Sequence, residues 1–324
     1  MQPRTRDTSS GKTKPRRSSR DGLRQLKWHL GLGAFILVSL PVALLPIRVA
    51  VALGGATGRL AYLLLGGARR TAVENIRSSL PHLQTLPGWV PGHGSPEEIA
   101  RRSFANIGRT AVEVIKLFFG LGDGLIERVE WRGLEHYRQA KEQGKGVLFI
   151  TGHFDNWELA ALSFGLRHGG MAVVARRQKY DPLTAFLERL RNRFGNSLIY
   201  ADGAARNIFF RLRKNETIGV LMDQAVQPQE GAVVEFSGRG AWTTTMPALI
   251  ATKTGAALLP AFSHREGDRH VVEFHPAVTP APDGDPIATT RLLNRCIEEQ
   301  IARYPDQWLW VYRRWKRVKH PPSG

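Results

Sequence analysis

A histidine followed five residues later by a glutamate, in Thr151-Gly-His-Phe-Asp-Asn-Trp-Glu158, offers a base and a group to orient it. A carboxylate that holds one ring nitrogen of His153 fixes its tautomer and stabilises the imidazolium formed when the other nitrogen takes a proton. Val147 to Thr151 is a short apolar run with β-branched residues, the pattern of a buried strand. Gly152 permits a sharp turn, and Asp155 or Asn156 can cap a helix through Trp157–Leu162. His153 then stands just past the carboxyl end of a strand, where open α/β sheets place ligands, with Glu158 in the first turn of the helix. Taken alone, the pair also fits a turn histidine beside a surface carboxylate.

Three other groups of residues could serve chemistry at the same sheet edge. Arg176 and Arg177 follow an expected strand at 172–175 and could hold a phosphate or stabilise developing negative charge; a solvated basic pair is the alternative. Asp223, with Gln224, follows an expected strand at 218–222 and could orient a base or bind a hydroxyl, or simply form a turn. Glu235-Phe-Ser-Gly-Arg-Gly240 and Thr243-Thr-Thr-Met-Pro247 predict a glycine-loosened loop entering a helix, whose N–H groups could meet an anion. Near the end of the chain, Trp308-Leu-Trp-Val-Tyr-Arg-Arg-Trp-Lys-Arg317 interleaves aromatics with cations. That pattern suits a belt at a lipid interface, or base stacking on single-stranded nucleic acid.

The motifs that are absent narrow the reaction. The sequence has no Gly-x-Ser-x-Gly elbow, no His-Glu-x-x-His and no dinucleotide fingerprint. A histidine base without an evident protein nucleophile suits attack by an activated substrate hydroxyl on an acyl or phosphoryl donor.

The elements needed to position these residues are legible. Strands are expected at 129–131, 147–151, 172–175, 197–200, 218–222, 257–262 and 270–274. Helices are expected at 134–143, 182–194, 204–213, 245–254 and 287–303. Strands alternating with helices give an α/β fold with a central, mostly parallel sheet flanked by helices. Upstream, Ser95-Pro-Glu-Glu98 reads as a helix start with Pro in the first position and acids in the first turn.

Of 324 residues, 42% are hydrophobic and only Cys296 is a cysteine, which leaves no internal disulfide framework. The net charge of +18 points to a polyanionic partner. Residues 1–27 hold nine Lys/Arg and two Asp, so +11 of that charge lies beyond this basic tail. Leu30 to Ile47 is an uncharged run of 18 residues, just long enough to cross a bilayer core of about 30 Å. Val49 to Ala68 is a weaker apolar stretch interrupted by Arg59. Basic residues flank both sides, so a hairpin kinked at Pro41 or Pro46 with both ends cytoplasmic satisfies the charge bias. The expected organisation is a disordered basic tail (1–27), a membrane-anchoring apolar segment (28–68) and a catalytic domain (69–324).

Taken in order, these blocks resemble the late (lauroyl/myristoyl) lipid A biosynthesis acyltransferases within the lysophospholipid acyltransferase group. The resemblance rests on Arg69-Arg-Thr-Ala-Val-Glu-Asn-Ile76, on His153…Glu158 as a His-x4-Asp/Glu signature, and on Asp223-Gln224. It extends through Glu235-Phe-Ser-Gly and Ala251-Thr-Lys-Thr-Gly-Ala256 to Tyr304-Pro-Asp-Gln-Trp-Leu-Trp310 and Arg313-Arg-Trp-Lys316. It implies a glycerolipid acyltransferase-like fold with an N-terminal membrane helix or hairpin. The implied enzyme is an O-acyltransferase in which His153 is the base and Glu158 its partner. Arg176 or Arg177 would stabilise charge, Asp223 would support the site, and no metal or cofactor would act beyond the acyl thioester. Implied partners are acyl carrier protein or acyl-CoA, a phosphorylated glycolipid acceptor and the anionic inner membrane, with the active site facing the cytoplasm. The basic tail and the Pro/Gly-rich loop at 84–96 depart from the pattern. Relatives of the group acylate other acceptors, including mannosylated phosphoinositides and lysophospholipids. Outside that class, the basic character would fit a membrane-tethered nucleic-acid-binding protein, and the His–Glu pair would fit a hydrolase.

Overall fold

The computed structural model describes residues 19–175, 188–200 and 203–318; the side chains of 19–30 and of Ala34 lie outside that description. The expected strands assemble into a seven-stranded sheet. In chain order they are β1 (Glu130–Arg132), β2 (Val147–Thr151), β3 (Ala172–Ala175), β4 (Ser197–Tyr200), β5 (Thr217–Leu221), β8 (Ala257–Glu266) and β9 (Arg269–Phe274). The order across the sheet is β1-β9-β8-β2-β5-β3-β4, and every pairing is parallel except β8 with β9. β2 lies between β5 and β8, and its first four residues are buried, which is why it reads as a continuous apolar run rather than an alternation.

Alternation along β2 divides the core. Leu148 and Ile150 join one apolar cluster with Ile208, Leu293 and Ile297, while Val147 and Phe149 join another with Tyr137, Leu162 and Phe164 on the opposite face. The flanking helices are α6 (Leu134–Glu142), α7 (Trp157–His168), α8 (Ala204–Leu212), α9 (Met246–Thr254) and α10 (Pro286–Arg303). Most of the expected helix at 182–194 lies outside the described residues; 188–191 is helical and Arg193–Gly195 is a 3-10 turn.

Upstream come α1 (Ser19–Leu44), α2 (Ile47–Leu64), α3 (Gly66–Leu83), α4 (Pro96–Phe118) and α5 (Asp123–Glu127). Ser95 starts α4 with a reciprocal cap: its hydroxyl accepts from Glu98 N–H, and the Glu98 carboxylate accepts from Ser95 N–H at 2.8 Å. The chain divides into two compact units, one ending at Pro41 and the other starting at Val42. Helix α1 continues through Pro41, and the break falls at Leu45–Pro46 instead. Of the described helices, α2 is long and apolar enough to cross a membrane. It packs on α4 through buried Gly54 and Gly58, and a Cβ on either would collide with the backbone of Gly108 or Phe104. Small residues spaced four apart let two helix backbones approach this closely.

Two expectations are corrected. The loop expected at Glu235–Gly240 is an antiparallel hairpin, β6 (Ala232–Phe236) and β7 (Arg239–Thr243), while the helix start expected within Thr243–Pro247 is found, with α9 beginning at Met246. Ser237 (φ 51°) and Gly238 (φ 74°) make a two-residue turn in the left-handed region, the geometry tight hairpins require. The closing aromatics form neither a lipid belt nor a stacking platform. Trp308, Trp310, Arg314 and Trp315 are buried in the core. The Arg314 guanidinium lies over the Phe236 ring and donates to Trp242 O at 2.7 Å and Thr243 Oγ1 at 2.6 Å; burial brings its pKa down to about 10.

Candidate active site

The turn after β2 distributes its side chains among four separate environments. Gly152 is needed because a Cβ there would press on Asp223 and the Phe154 ring. Phe154 is fully buried, 5.5 Å from the Phe262 ring, and its carbonyl accepts from Ser263 Oγ at 2.8 Å. Asp155 holds a left-handed φ of 40° and is buried. Asn156 caps α7, accepting from Leu159 N–H at 3.0 Å. His153 alone in this turn faces a cavity, with Trp157 edge-on at 4.9 Å.

The partner of His153 is Asp223, not Glu158. Nδ1 donates to Asp223 Oδ1 at 2.7 Å, while Asp223 Oδ2 accepts from His153 N–H and from Trp308 Nε1, each at 2.8 Å. With Nδ1 protonated, Nε2 is the free acceptor, and Gln224 Nε2 approaches it at 3.2 Å. Burial works against the imidazolium, but the charge and hydrogen bond of Asp223, with the charge of Glu158, hold the His153 pKa above its ordinary value. Burial opposes the Asp223 carboxylate likewise; His153, two further N–H donors and their geometry keep its pKa below the usual range.

Glu158 is taken up by Arg191. The guanidinium holds the carboxylate through Nε at 2.9 and 3.1 Å and through a short Nη2 contact to Oε1. The sequence placed Glu158 on His153 because they are neighbours in the chain. The helix starting at Trp157 turns Glu158 away from the ring, and Arg191 raises its own affinity for the proton by meeting it. Arg191 and Glu158 line the cavity beside His153, and Arg191 is the one Lys or Arg among its described lining residues. Arg176 and Arg177, expected to stabilise charge, lie outside the described residues.

The cavity has a volume of about 560 Å³, within the range of small-molecule sites. It runs from His153 over the Phe149 face of the sheet, between Phe164, Met171, Val173 and Phe274. A polar mouth with a base and an apolar interior can receive a hydroxyl and an alkyl chain together.

Behind the turn stands a second charge group. His270 meets Asp155 Oδ2 at 2.7 Å and Glu113 Oε1 at 3.1 Å; Arg265 meets Asp155 Oδ1 at 3.2 Å and Glu113 Oε2 at 2.8 Å. Burial disfavours the charged ring, yet the two carboxylates lift the His270 pKa to about 9, so two cations and two anions close a neutral ring. This ring ties the turn after β2 to α4, β8 and β9. No local pattern announces it, since His270 stands 115 residues from Asp155 and 157 from Glu113. Trp308 was visible only as part of an aromatic cluster, and Arg191 only as a residue of the helix expected at 182–194.

A buried carboxylate–imidazole pair thus stands at a strand's carboxyl end and opens on a cavity with an apolar interior. Residues 18–317 match the family model described as bacterial lipid A biosynthesis acyltransferase, and the chain belongs to that family. It is accordingly an acyltransferase of lipid A biosynthesis type. It is 26% identical to the lipid A biosynthesis lauroyltransferase of Escherichia coli strain K12 over 303 residues, covering 92% of this chain and 94% of the relative. It is likewise 26% identical to a lipid A biosynthesis acyltransferase of Haemophilus influenzae, across 89% and 88% of the two chains. It is 28% identical to a phosphatidylinositol mannoside acyltransferase of Mycobacterium tuberculosis, across 76% and 78%.

Proposed function

We propose that the chain transfers a fatty acyl group from a thioester of acyl carrier protein or coenzyme A to a hydroxyl of a lipid A precursor, at the cytoplasmic face of the inner membrane. The observation that supports this best is His153: Nδ1 is locked on Asp223 and Nε2 faces a cavity with an apolar interior. The acceptor hydroxyl donates to Nε2, and its proton passes to the ring as the oxygen attacks the thioester carbonyl. The tetrahedral intermediate collapses, the C–S bond breaks, and the imidazolium returns its proton to the departing thiolate. No enzyme-bound acyl group and no further cofactor enters. Asp223 stabilises the imidazolium, and Arg191, held by Glu158, is the described cation nearest the developing oxyanion. Arg176 and Arg177, next in sequence after cavity-lining Ala175, are proposed to stabilise negative charge as well.

A second acceptor reading, a mannosylated phosphoinositide or a lysophospholipid, draws on the similarity to the mycobacterial relative. The test offers labelled acyl carrier protein and acyl-CoA to membranes containing the protein, with each acceptor in parallel. Label in the under-acylated lipid A precursor supports the first reading. Label only in phosphoinositide mannoside or lysophospholipid overturns the acceptor, and free fatty acid as the main product overturns transfer.

A further inference from the structure

A second cavity, of about 1010 Å³, lies beside α2 and α4 and shares no lining residue with the first. The catalytic turn is the partition: His153 lines the first cavity, while Glu113, Arg265 and His270, which hold Asp155, line the second. Eight arginines and three carboxylates face this second space. Arg265 is neutralised within the buried ring, Arg102 meets Asp306 at 3.4 Å and Arg269 meets Glu130 at 3.1 Å. Arg48, Arg59, Arg101, Arg109 and Arg128 have no carboxylate within ion-pair distance among the described residues. Such a concentration of unpaired guanidinium groups around one concavity calls for an anion with several oxygens.

The walls indicate which anion. One side is built by Ile47, Val51 and Ala52 of α2, whose neighbouring Val49 and Leu53 are exposed to the surroundings. No Phe, Tyr or Trp is among the described residues that line the cavity, so these offer no platform for stacked bases. A folded partner would bury a broad face of roughly 1,000 Å² or more, whereas this is a concave recess lined by charged side chains.

We infer that the α2–α4 cavity is a binding site for the phosphate headgroup of an anionic phospholipid, whose acyl chains lie along the exposed apolar residues of α2. The inference rests on the membrane-associated reading of the protein given above. It assigns the chain's affinity for an anionic leaflet to a defined recess rather than to diffuse charge. It also places a lipid phosphate one ion-paired shell from Asp155 and the catalytic turn.

The test titrates the full-length protein in neutral detergent with short-chain phosphatidylglycerol, short-chain phosphatidylcholine, inorganic phosphate and acyl carrier protein. The melting temperature is the readout, since a ligand that binds only the folded state raises it saturably. Phosphatidylglycerol should raise it and phosphatidylcholine should not. Arg101→Gln/Arg128→Gln changes two exposed residues and should weaken the apparent affinity by about tenfold or more, since it removes two charged donors to the phosphate. Neutralising Lys12, Lys14, Arg16 and Arg17 should leave the affinity in place. An unchanged affinity in the double variant, an equal response to inorganic phosphate, or a response to the carrier protein in place of the lipid would each overturn the inference. If the double variant does not fold, Arg48→Gln takes its place. Transfer activity in the same lipid-free detergent reports separately on the proposed reaction, so failure of one reading is visible apart from the other.

Discussion

Asp223 Oδ2 accepts from both His153 N–H and Trp308 Nε1 at 2.8 Å, while its other oxygen holds the His153 ring. One buried carboxylate thus joins two strand ends and the closing segment of the chain. Its position explains why the aromatic cluster at 308–315 is buried: the indole is a hydrogen-bond donor to the site and a wall around it.

Asp223→Asn keeps the shape but removes the charge that favours the imidazolium. Because the His153 pKa is raised in the wild type, the neutral, active base appears only as pH climbs past the ordinary histidine value. The acid limb of the transfer rate should therefore move to lower pH in Asp223→Asn, with the plateau rate reduced by about 10²–10⁴-fold. A pH–rate profile checks both, and an acid limb that stays in place would remove Asp223 as the group tuning His153.

Glu158 and Arg191 should behave as a unit. Glu158→Gln leaves a largely buried guanidinium unpaired, and Arg191→Gln does the same to the carboxylate, each costing about 3–5 kcal/mol of stability. The double substitution should cost much less than the sum. Denaturant titration of the three variants measures the coupling; additive losses would mean that the pair does not exist in solution.

The ring of His270, Asp155, Glu113 and Arg265 predicts how stability follows pH. His270 has a folded pKa of about 9, above its unfolded value, so its contribution is full below about 6.5 and is lost as pH rises through 9. Asp155, with a folded pKa of about 2, contributes above its unfolded value near 4 and loses that contribution as pH falls through 2. Melting temperature should decline between about pH 6.5 and 9, and His270→Gln should be less stable at neutral pH and flatter across that alkaline window.

Gly58→Val should separate α2 from α4, because the new side chain would strike the Phe104 carbonyl and the Ala105 backbone. Limited proteolysis of the folded protein should then cut within 42–64 more readily than in the wild type. Gly219 makes a contrasting prediction. A Cβ there would meet only Met171 at 3.5–3.7 Å, so Gly219→Leu should fit at modest cost while filling part of the cavity. Competition between acyl donors of different length should shift toward shorter chains.

Much of this architecture could be read from the residues because its signals are local. Val147–Thr151 is apolar without interruption because β2 is covered on both faces, and Ser95-Pro-Glu-Glu98 announces α4 through its own cap. His153 and Asp223 were identifiable as residues at strand ends, but their pairing was not, since it depends on β2 and β5 being neighbours in the sheet. Glu158 was assigned to His153 by proximity in sequence, whereas the turn sends successive side chains in different directions and gives Glu158 to Arg191. Interleaved cations made Trp308–Arg317 look like a surface, yet Arg314 is enclosed, with one carbonyl acceptor, one hydroxyl acceptor and an aromatic face to receive it.

The most direct measurement is acyl transfer by His153→Ala, made on protein whose melting temperature matches the wild type. Transfer should fall by about 10²–10⁴-fold with acyl-donor binding retained. Transfer at the wild-type rate in the folded variant would contradict it, because no base would then remain where the cavity, Asp223 and Trp308 converge.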